Sequence, residues 1–167
     1  MKIFRLLLRV VIGVLFVGHG SQKLFGLFGG QGLKSTAEGF DQMGMRPGMV
    51  NAVAAGVGET GGGALLTLGF LTPLGAASII ATMMTAIHRV HLKNGPWVTK
   101  GGYEYNLVLI LALLVLTEIG PGPVSLDAIK GQERKGDVWA FASLAAGSLG
   151  AAAAHFGTAA LAPPAQS

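Results

Sequence analysis

Three side chains that could exchange protons lie in two apolar segments of the sequence. His19 and Lys23 are four residues apart, a spacing that places both on one face of a helix. Glu59 is the only charged residue between Arg46 and Arg89. A carboxylate in the middle of a bilayer-spanning segment costs about 2.5–3.5 kcal/mol on insertion scales, so a group inside the protein must compensate it. Glu59 is therefore either a functional acid or one half of a structural ion pair.

Arg9 is a candidate partner for this carboxylate. It interrupts the first apolar segment in the same way that Glu59 interrupts the second. A helical rise of about 1.5 Å per residue places Glu59 level with Phe16. Arg9 is then about seven residues deeper in the bilayer and Lys23 about seven residues shallower, so either long side chain could bend toward the carboxylate. We predict a structural ion pair between Arg9 and Glu59, with Lys23 as the alternative partner.

Aromatic and acidic residues precede the most apolar run of the chain, residues 107–116. Trp97, Tyr103 and Tyr105 are the aromatic members, and Glu104 is the acid between the two tyrosines. Such rings are most often interfacial belt residues in membrane proteins, but a site for a quinone ring would use the same residue types. Glu104 could deliver a proton to such a ligand. We therefore predict a cofactor-binding role for Trp97, Tyr103 and Tyr105.

The composition indicates an integral membrane protein. Apolar residues make up 51% of the chain and charged residues only 12%, against about 25% charged residues in soluble domains. The 27 glycines fit a tight helical bundle, because small residues let helices approach closely in lipid. The absence of cysteine excludes disulfides and thiolate metal sites. The net charge of +4, without a dense basic cluster, fits loops that face anionic lipid and does not indicate nucleic-acid binding.

Four apolar segments predict an all-α fold, a transmembrane bundle of four helices. We place these helices at residues 3–25, 50–70, 73–89 and 103–119. The first segment resembles a signal peptide, but Arg9 interrupts it and no cleavage site follows, so we predict a retained helix. Residues 1–127 then form one membrane domain.

The C-terminal part of the chain permits two interpretations. Residues 128–137 form a charged linker, and residues 138–162 are alanine-rich and carry no formal charge. Since alanine is only marginally favourable for membrane insertion, this stretch is either a fifth span or an interfacial helix. Residues 163–167 have the composition of a disordered tail.

A hairpin arrangement of the four helices would gather polar side chains at one membrane face, where the first and third helices end. Lys and Arg residues number six on each side, so their distribution does not set the orientation. The basic residues ahead of the first apolar run favour a cytoplasmic N-terminus, which places the polar cluster on the extracytoplasmic face. His88 and His91 belong to this cluster, but no recognised zinc or haem spacing is present, and we predict no metal site.

Several short motifs, in order along residues 5–127, resemble the DoxX family. The motifs are Arg9-x-x-x-Gly13, Gly18-His19-Gly20-x-x-Lys23-Leu24-Phe25-Gly26, Glu59-x-Gly61-Gly62, Gly69-Phe70-Leu71-Thr72-Pro73-Leu74, Gly102-Tyr103-Glu104-Tyr105-Asn106 and Gly120-Pro121-Gly122-Pro123-x-Ser125-x-Asp127. The resemblance implies a small four-helix membrane protein linked to oxidoreductase assemblies. Relatives in that family include quinone-reducing thiosulfate oxidoreductase subunits and a membrane partner of superoxide dismutase and a thiosulfate sulfurtransferase.

We therefore predict a multi-pass subunit of the bacterial plasma membrane that is associated with quinone-linked or oxidative-stress oxidoreductase complexes. The candidate catalytic residues are Glu59, Lys23, His19 and Glu104. Because the chain has no flavin motif and no cysteine, it would need a soluble redox partner or a bound cofactor, for which quinone is the candidate. Two alternatives stay open: a non-enzymatic membrane scaffold that anchors soluble redox proteins, and a small proton-coupled transporter that uses Glu59.

Overall fold

The computed structural model describes residues 2–157, and this part of the chain is helical, without a β-strand. The α-helices are α1 (Lys2–Phe25), α2 (Gly32–Gln42), α3 (Gly48–Leu68), α4 (Thr72–Ala86), α5 (Glu104–Ile119), α6 (Leu126–Ile129) and α7 (Asp137–Ala152). Short 3-10 turns occur at Leu27–Gly29, Leu92–Asn94 and Val98–Lys100. Single π-helical turns follow α4 and α7, at Ile87–His91 and Ala153–Gly157. The predicted all-α fold is confirmed.

The helices α1 and α3 pack with their backbones in contact. A Cβ atom at Gly20 would lie 2.6 Å from the carbonyl oxygen of Gly56, and one at Gly13 would lie 2.7 Å from that of Gly63. Distances this short leave no room for a side chain, so glycine is what allows the approach. The register set by these two contacts places Glu59 close to the level of Gly20.

The core lies between α3, α4 and α5. Leu66 of α3, Ile79 and Ile80 of α4, and Leu113 and Leu116 of α5 are fully buried there. With Ala76 and Met83 of α4 and Ile110 of α5, the core residues of these two helices recur at three- and four-residue spacings, which put them on one face of each helix. The core therefore holds the second, third and fourth predicted segments together as one bundle.

Asp127 caps the N-terminus of α4 from a distant part of the chain. Its carboxylate accepts hydrogen bonds from Leu71 N (3.0 Å), Thr72 N (3.2 Å) and Thr72 Oγ1 (3.1 Å), and it is fully buried. An anion at this position compensates the unpaired N–H groups and the positive end of the helix dipole. Leu71 has a left-handed backbone conformation, with φ of 46°, so the cap also holds a strained turn in place.

Arg9 binds backbone carbonyl groups at the same end of the bundle. Its guanidinium donates to Leu66 O (2.9 Å), Thr67 O (3.2 Å) and Val124 O (2.6 Å), and the residue is buried. Arg9 therefore does not pair with Glu59 as predicted. Side chains on a helix lean toward its N-terminus, so Arg9 leans away from the level of Glu59 on α1.

The helix α7 packs against α4 and α5 and belongs to the same bundle. Ser143 is buried and donates a hydrogen bond to Pro73 O at 3.0 Å. A Cβ atom at Gly147 would lie 2.5 Å from Cγ2 of Ile80, so the two helices approach closely there. The outer face of α7 exposes Phe141 and other large apolar side chains.

Two helical segments of the described residues are long and apolar enough to cross a membrane, Ile3–Phe25 and Asp137–Gly157. The second of these includes most of the predicted alanine-rich stretch. The helices α4 and α5 contain 15 and 16 residues, fewer than the roughly 20 that a straight span needs. Residues 158–162 of the alanine-rich stretch and the predicted tail, residues 163–167, lie outside the described residues.

Candidate functional site

A cavity of about 480 Å³ opens between α1, α3, α4 and α5. Most of its wall is apolar, with Ile12 and Phe16 of α1 and Leu109 of α5 among the lining side chains. His19, Lys23, Glu59 and Tyr105 also line it. The structure thus brings four of the predicted site residues to a single cavity.

Lys23 and Glu59 form the charged centre of this cavity. Lys23 Nζ lies 2.5 Å from Glu59 Oε2, where it donates a hydrogen bond and forms an ion pair. The carboxylate side chain is only 7% exposed and the lysine side chain 26% exposed. Lys23 leans toward the N-terminus of α1 and so toward the level of Glu59. Glu59 therefore pairs with Lys23, the alternative partner that the sequence also allowed.

His19 lies one helical turn before Lys23 on α1 and is exposed. Its Nδ1 is 3.2 Å from Gln22 Oε1, and its ring meets the ring of Phe16 edge-on, with centroids 6.1 Å apart. These contacts leave Nε2 of the imidazole available to a ligand in the cavity.

Glu104, Tyr103 and Trp97 do not line the cavity. Glu104 Oε1 accepts a hydrogen bond from Val98 N at 2.7 Å, which fixes the loop before α5. Tyr103 is the N-cap residue of α5, and Trp97 is 60% exposed. Glu104, Trp97 and Tyr103 thus lie in the loop before α5 and at the start of that helix, next to Tyr105 but outside the cavity wall.

Asn106 is a cavity residue that the sequence analysis did not select, although it belongs to the same motif as Tyr105. It is buried, and its Nδ2 donates to Met83 Sδ at 3.3 Å. A thioether is a weak acceptor, so a ligand oxygen could replace it at small cost. Its position one residue from the predicted Tyr105, in an otherwise apolar helix, was the available signal.

Arg89 and His91 also line the cavity, from the π-helical turn after α4. His91 Nδ1 is 2.7 Å from Gly101 O, which ties this turn to the loop before α5. His91 was predicted from the sequence to lie at the same membrane face, but not among the site residues. Arg89 follows Thr82 and Thr85, which also line the cavity, by seven and four residues, so the helical period places all three on the same face.

The site combines an ammonium donor, a carboxylate, an imidazole, a phenol and an amide within an apolar wall. Such a wall with a few convergent polar groups is typical of small-molecule sites of 300–1,000 Å³. Glu59 can accept a proton, and Lys23 and Asn106 can donate hydrogen bonds to ligand oxygens. Within residues 2–157, no group of three or more His, Cys, Asp or Glu side chains is arranged to hold a metal ion.

Comparison with known proteins gives relatives for much of the chain. A protein of Bacillus subtilis named "Putative oxidoreductase CatD" is 33% identical over 116 residues, which cover 70% of this chain and 80% of CatD. An uncharacterised protein of Haemophilus influenzae is 34% identical over 65 residues, or 39% of this chain and 43% of that protein. No solved structure matches the chain significantly.

Residues 4–92 match the family DoxX, and this segment contains α1 to α4 with the Lys23–Glu59 pair. More than half of the chain is covered by that match, and CatD extends the similarity further along the chain. The chain therefore belongs to the DoxX family of small membrane proteins.

Proposed function

We propose that the protein is a multi-pass subunit of the bacterial plasma membrane whose cavity binds the ring of a quinone in an oxidoreductase complex. The observation that carries this proposal is the ion pair of Lys23 and Glu59 in the wall of an apolar cavity of about 480 Å³. The oxidoreductase designation in the name of CatD supports the same class of function.

The cavity residues suit a flat, largely apolar ligand with two oxygen acceptors. Lys23 Nζ can donate a hydrogen bond to one ring oxygen, and His19 or Asn106 can donate to the other. Glu59 would relay protons, because as a nearly buried carboxylate it can accept a proton from solvent and pass it to a ring oxygen held by Lys23. A bound quinone takes up two electrons and two protons and leaves as the quinol.

The electrons would come from a soluble redox partner. The chain contains no cysteine, so it offers no thiol that could carry electrons to the ring. In this arrangement the protein supplies the quinone site, the hydrogen bonds and the protons, and the partner supplies the electrons. The redox chemistry belongs to the ligand and the partner, as in other cofactor-dependent systems.

We infer that α1, α3, α4 with its π turn, and α5 cross the membrane together, with α7 as a fifth span. Two observations support five spans: α7 packs directly on α4, and both α1 and α7 expose apolar faces outward. Five spans place the C-terminus on the opposite side of the membrane from the N-terminus. With a cytoplasmic N-terminus, a reporter fused after Ser167 would then be extracytoplasmic. A cytoplasmic signal from that fusion would contradict this arrangement.

Quinone binding can be measured directly with the purified full chain in detergent, by calorimetric titration with a short-chain ubiquinone. We expect Lys23→Met to weaken binding about tenfold or more, the usual worth of a hydrogen bond from a charged group. Lys34→Met, at an exposed position on α2, is the matched control and should bind normally.

A scaffold without quinone chemistry is the second candidate, because the Lys23–Glu59 pair also ties α1 to α3. The double variant Lys23→Met/Glu59→Gln separates the two functions, since it removes both charges and leaves neither one unpaired. If the folded double variant binds quinone as well as the unaltered protein does, the pair is structural and the quinone site is wrong. Loss of binding with a retained melting temperature supports the quinone site.

A further inference from the structure

A second cavity, of about 230 Å³, lies where the two π-helical turns face each other. One turn, Ile87–His91, ends α4, and the other, Ala153–Gly157, ends α7. π-helical turns are rare and occur frequently at functional sites. The α7 side of this cavity lies outside the segment that matches the DoxX family, so the site is not a property of that segment alone.

The polar groups in this cavity are hydrogen-bond donors or cations. Its polar lining residues are Thr85, His88, Arg89 and His155. The rings of His88 and His155 meet edge-on with centroids 4.5 Å apart. No carboxylate lines the cavity, so a ligand would not compete with an internal anion there.

Two buried nitrogen atoms of residues that line this cavity lack a hydrogen-bond partner, and the one from histidine is a donor in one of its two tautomers. They are Nε of Arg89 and Nδ1 of His155. The guanidinium makes one long contact, from Nη2 to His155 O at 3.4 Å. A buried guanidinium nitrogen without an acceptor is costly, so a ligand that supplies an acceptor would be bound favourably.

The donor set selects an anion, because a cation would be repelled by the guanidinium. A guanidinium matches an oxyanion particularly well, since its planar fork can give two parallel hydrogen bonds. The cavity has room for a phosphate group and is flanked by apolar side chains, with Phe156 71% exposed beside it. In a membrane protein, the end of a spanning helix lies near the phosphate layer of the lipid.

We propose that Arg89, His88 and His155 form a binding site for a phosphate group, which enters between the ends of α4 and α7. Arg89 provides the charge and the planar fork, and His155 donates from Nδ1 in the tautomer that carries its proton there. The phosphate can belong to a lipid headgroup or be free in solution, and the two sources use the same contacts. The site shares Arg89 and Thr85 with the wall of the first cavity, but it does not depend on the Lys23–Glu59 pair and stands if the quinone proposal fails.

The test measures the melting temperature of the detergent-purified full chain during titration with two probes. The first probe is short-chain phosphatidylglycerol, and its blank is the diacylglycerol with the same acyl chains. The second probe is inorganic phosphate, and its blank is sodium chloride at equal ionic strength. We expect at least one phosphate probe to stabilise the protein more than its blank does. Stabilisation by the lipid alone assigns a headgroup, and stabilisation by both assigns a phosphate group in general.

Variants then locate the effect. Arg89→Gln and His155→Phe should each raise the probe concentration needed for half of the stabilisation about tenfold, the worth of a hydrogen bond to a charged group. Arg46→Gln, at an exposed arginine outside both cavities, should leave that concentration unchanged. His155→Phe keeps a ring against His88, so it tests the donor even where Arg89→Gln does not fold.

Two results would overturn the proposal. One is stabilisation of the unaltered protein by phosphate and chloride to the same extent, with no difference between the lipid and its phosphate-free blank. The other is a titration midpoint of His155→Phe, and of Arg89→Gln where it folds, equal to that of Arg46→Gln.

Discussion

Replacing Asp127 by asparagine should lower the free energy of unfolding by about 2–4 kcal/mol. The carboxylate accepts three hydrogen bonds, one at Oδ1 from Leu71 N and two at Oδ2 from Thr72. Asparagine keeps one acceptor oxygen, and its best orientation keeps the two bonds to Thr72. The amide NH₂ then faces the N–H of Leu71, so two donors oppose each other in a fully buried place.

The magnitude follows from what that substitution removes. Loss of one hydrogen bond to a charged acceptor costs about 1.5–3 kcal/mol. Loss of the negative charge at the start of α4 adds about 0.3–1 kcal/mol through the helix dipole. The left-handed conformation of Leu71, which costs about 1–2 kcal/mol, also loses the bond that holds it.

The assay is reversible unfolding in mixed micelles, followed by circular dichroism as denaturing detergent is added. Glu118→Gln is the control, because Glu118 is an exposed carboxylate at the end of α5 and should change stability by less than about 0.5 kcal/mol. A loss below about 0.5 kcal/mol for Asp127→Asn would refute the argument that this carboxylate caps α4.

Three further changes test other parts of the bundle in the same assay. Lys23→Met should lower the free energy of unfolding by about 3–5 kcal/mol because it leaves Glu59 buried without a partner. Adding Glu59→Gln should restore most of that loss. A double variant as unstable as the single variant would contradict this explanation. Gly20→Ala should cost about 1–3 kcal/mol because its Cβ meets the backbone of α3, whereas Gly18→Ala, with open space around it, should be neutral or stabilising. Ser143→Ala should cost about 1 kcal/mol because Pro73 O loses its donor, and an unchanged stability would show that this bond does not hold α7.

The helical fold and part of the site follow from the sequence because they depend on local patterns. Apolar runs interrupted by glycine and proline mark the helices, and the hairpin order brings Lys23 and Glu59 to one end of the bundle. Whether Glu59 pairs with Arg9 or with Lys23 could not be predicted from a local pattern. The pairing depends on the direction of the side chains of α1, which point toward its N-terminus, and on the register that Gly20 sets between α1 and α3.

Other features depend on contacts between distant segments and could not be predicted from spacing. Asp127 caps a turn that precedes it by more than fifty residues, and nothing near it in the chain points to that turn. Asn106 enters the site because α4 supplies Met83 opposite it.

Because the backbones of α1 and α3 are in contact, the wall of the cavity that these two helices form is rigid. At Gly13 and Gly20 the backbone of α1 lies directly against the backbone of α3 and the hydroxyl groups of Thr67 and Thr60, which leaves no room for a further side chain. The Lys23–Glu59 pair stands on this rigid side. Widening that admits a larger ligand is therefore easier on the side away from this contact, where Phe40 of α2 and Met43 and Met45 of the following loop line the cavity.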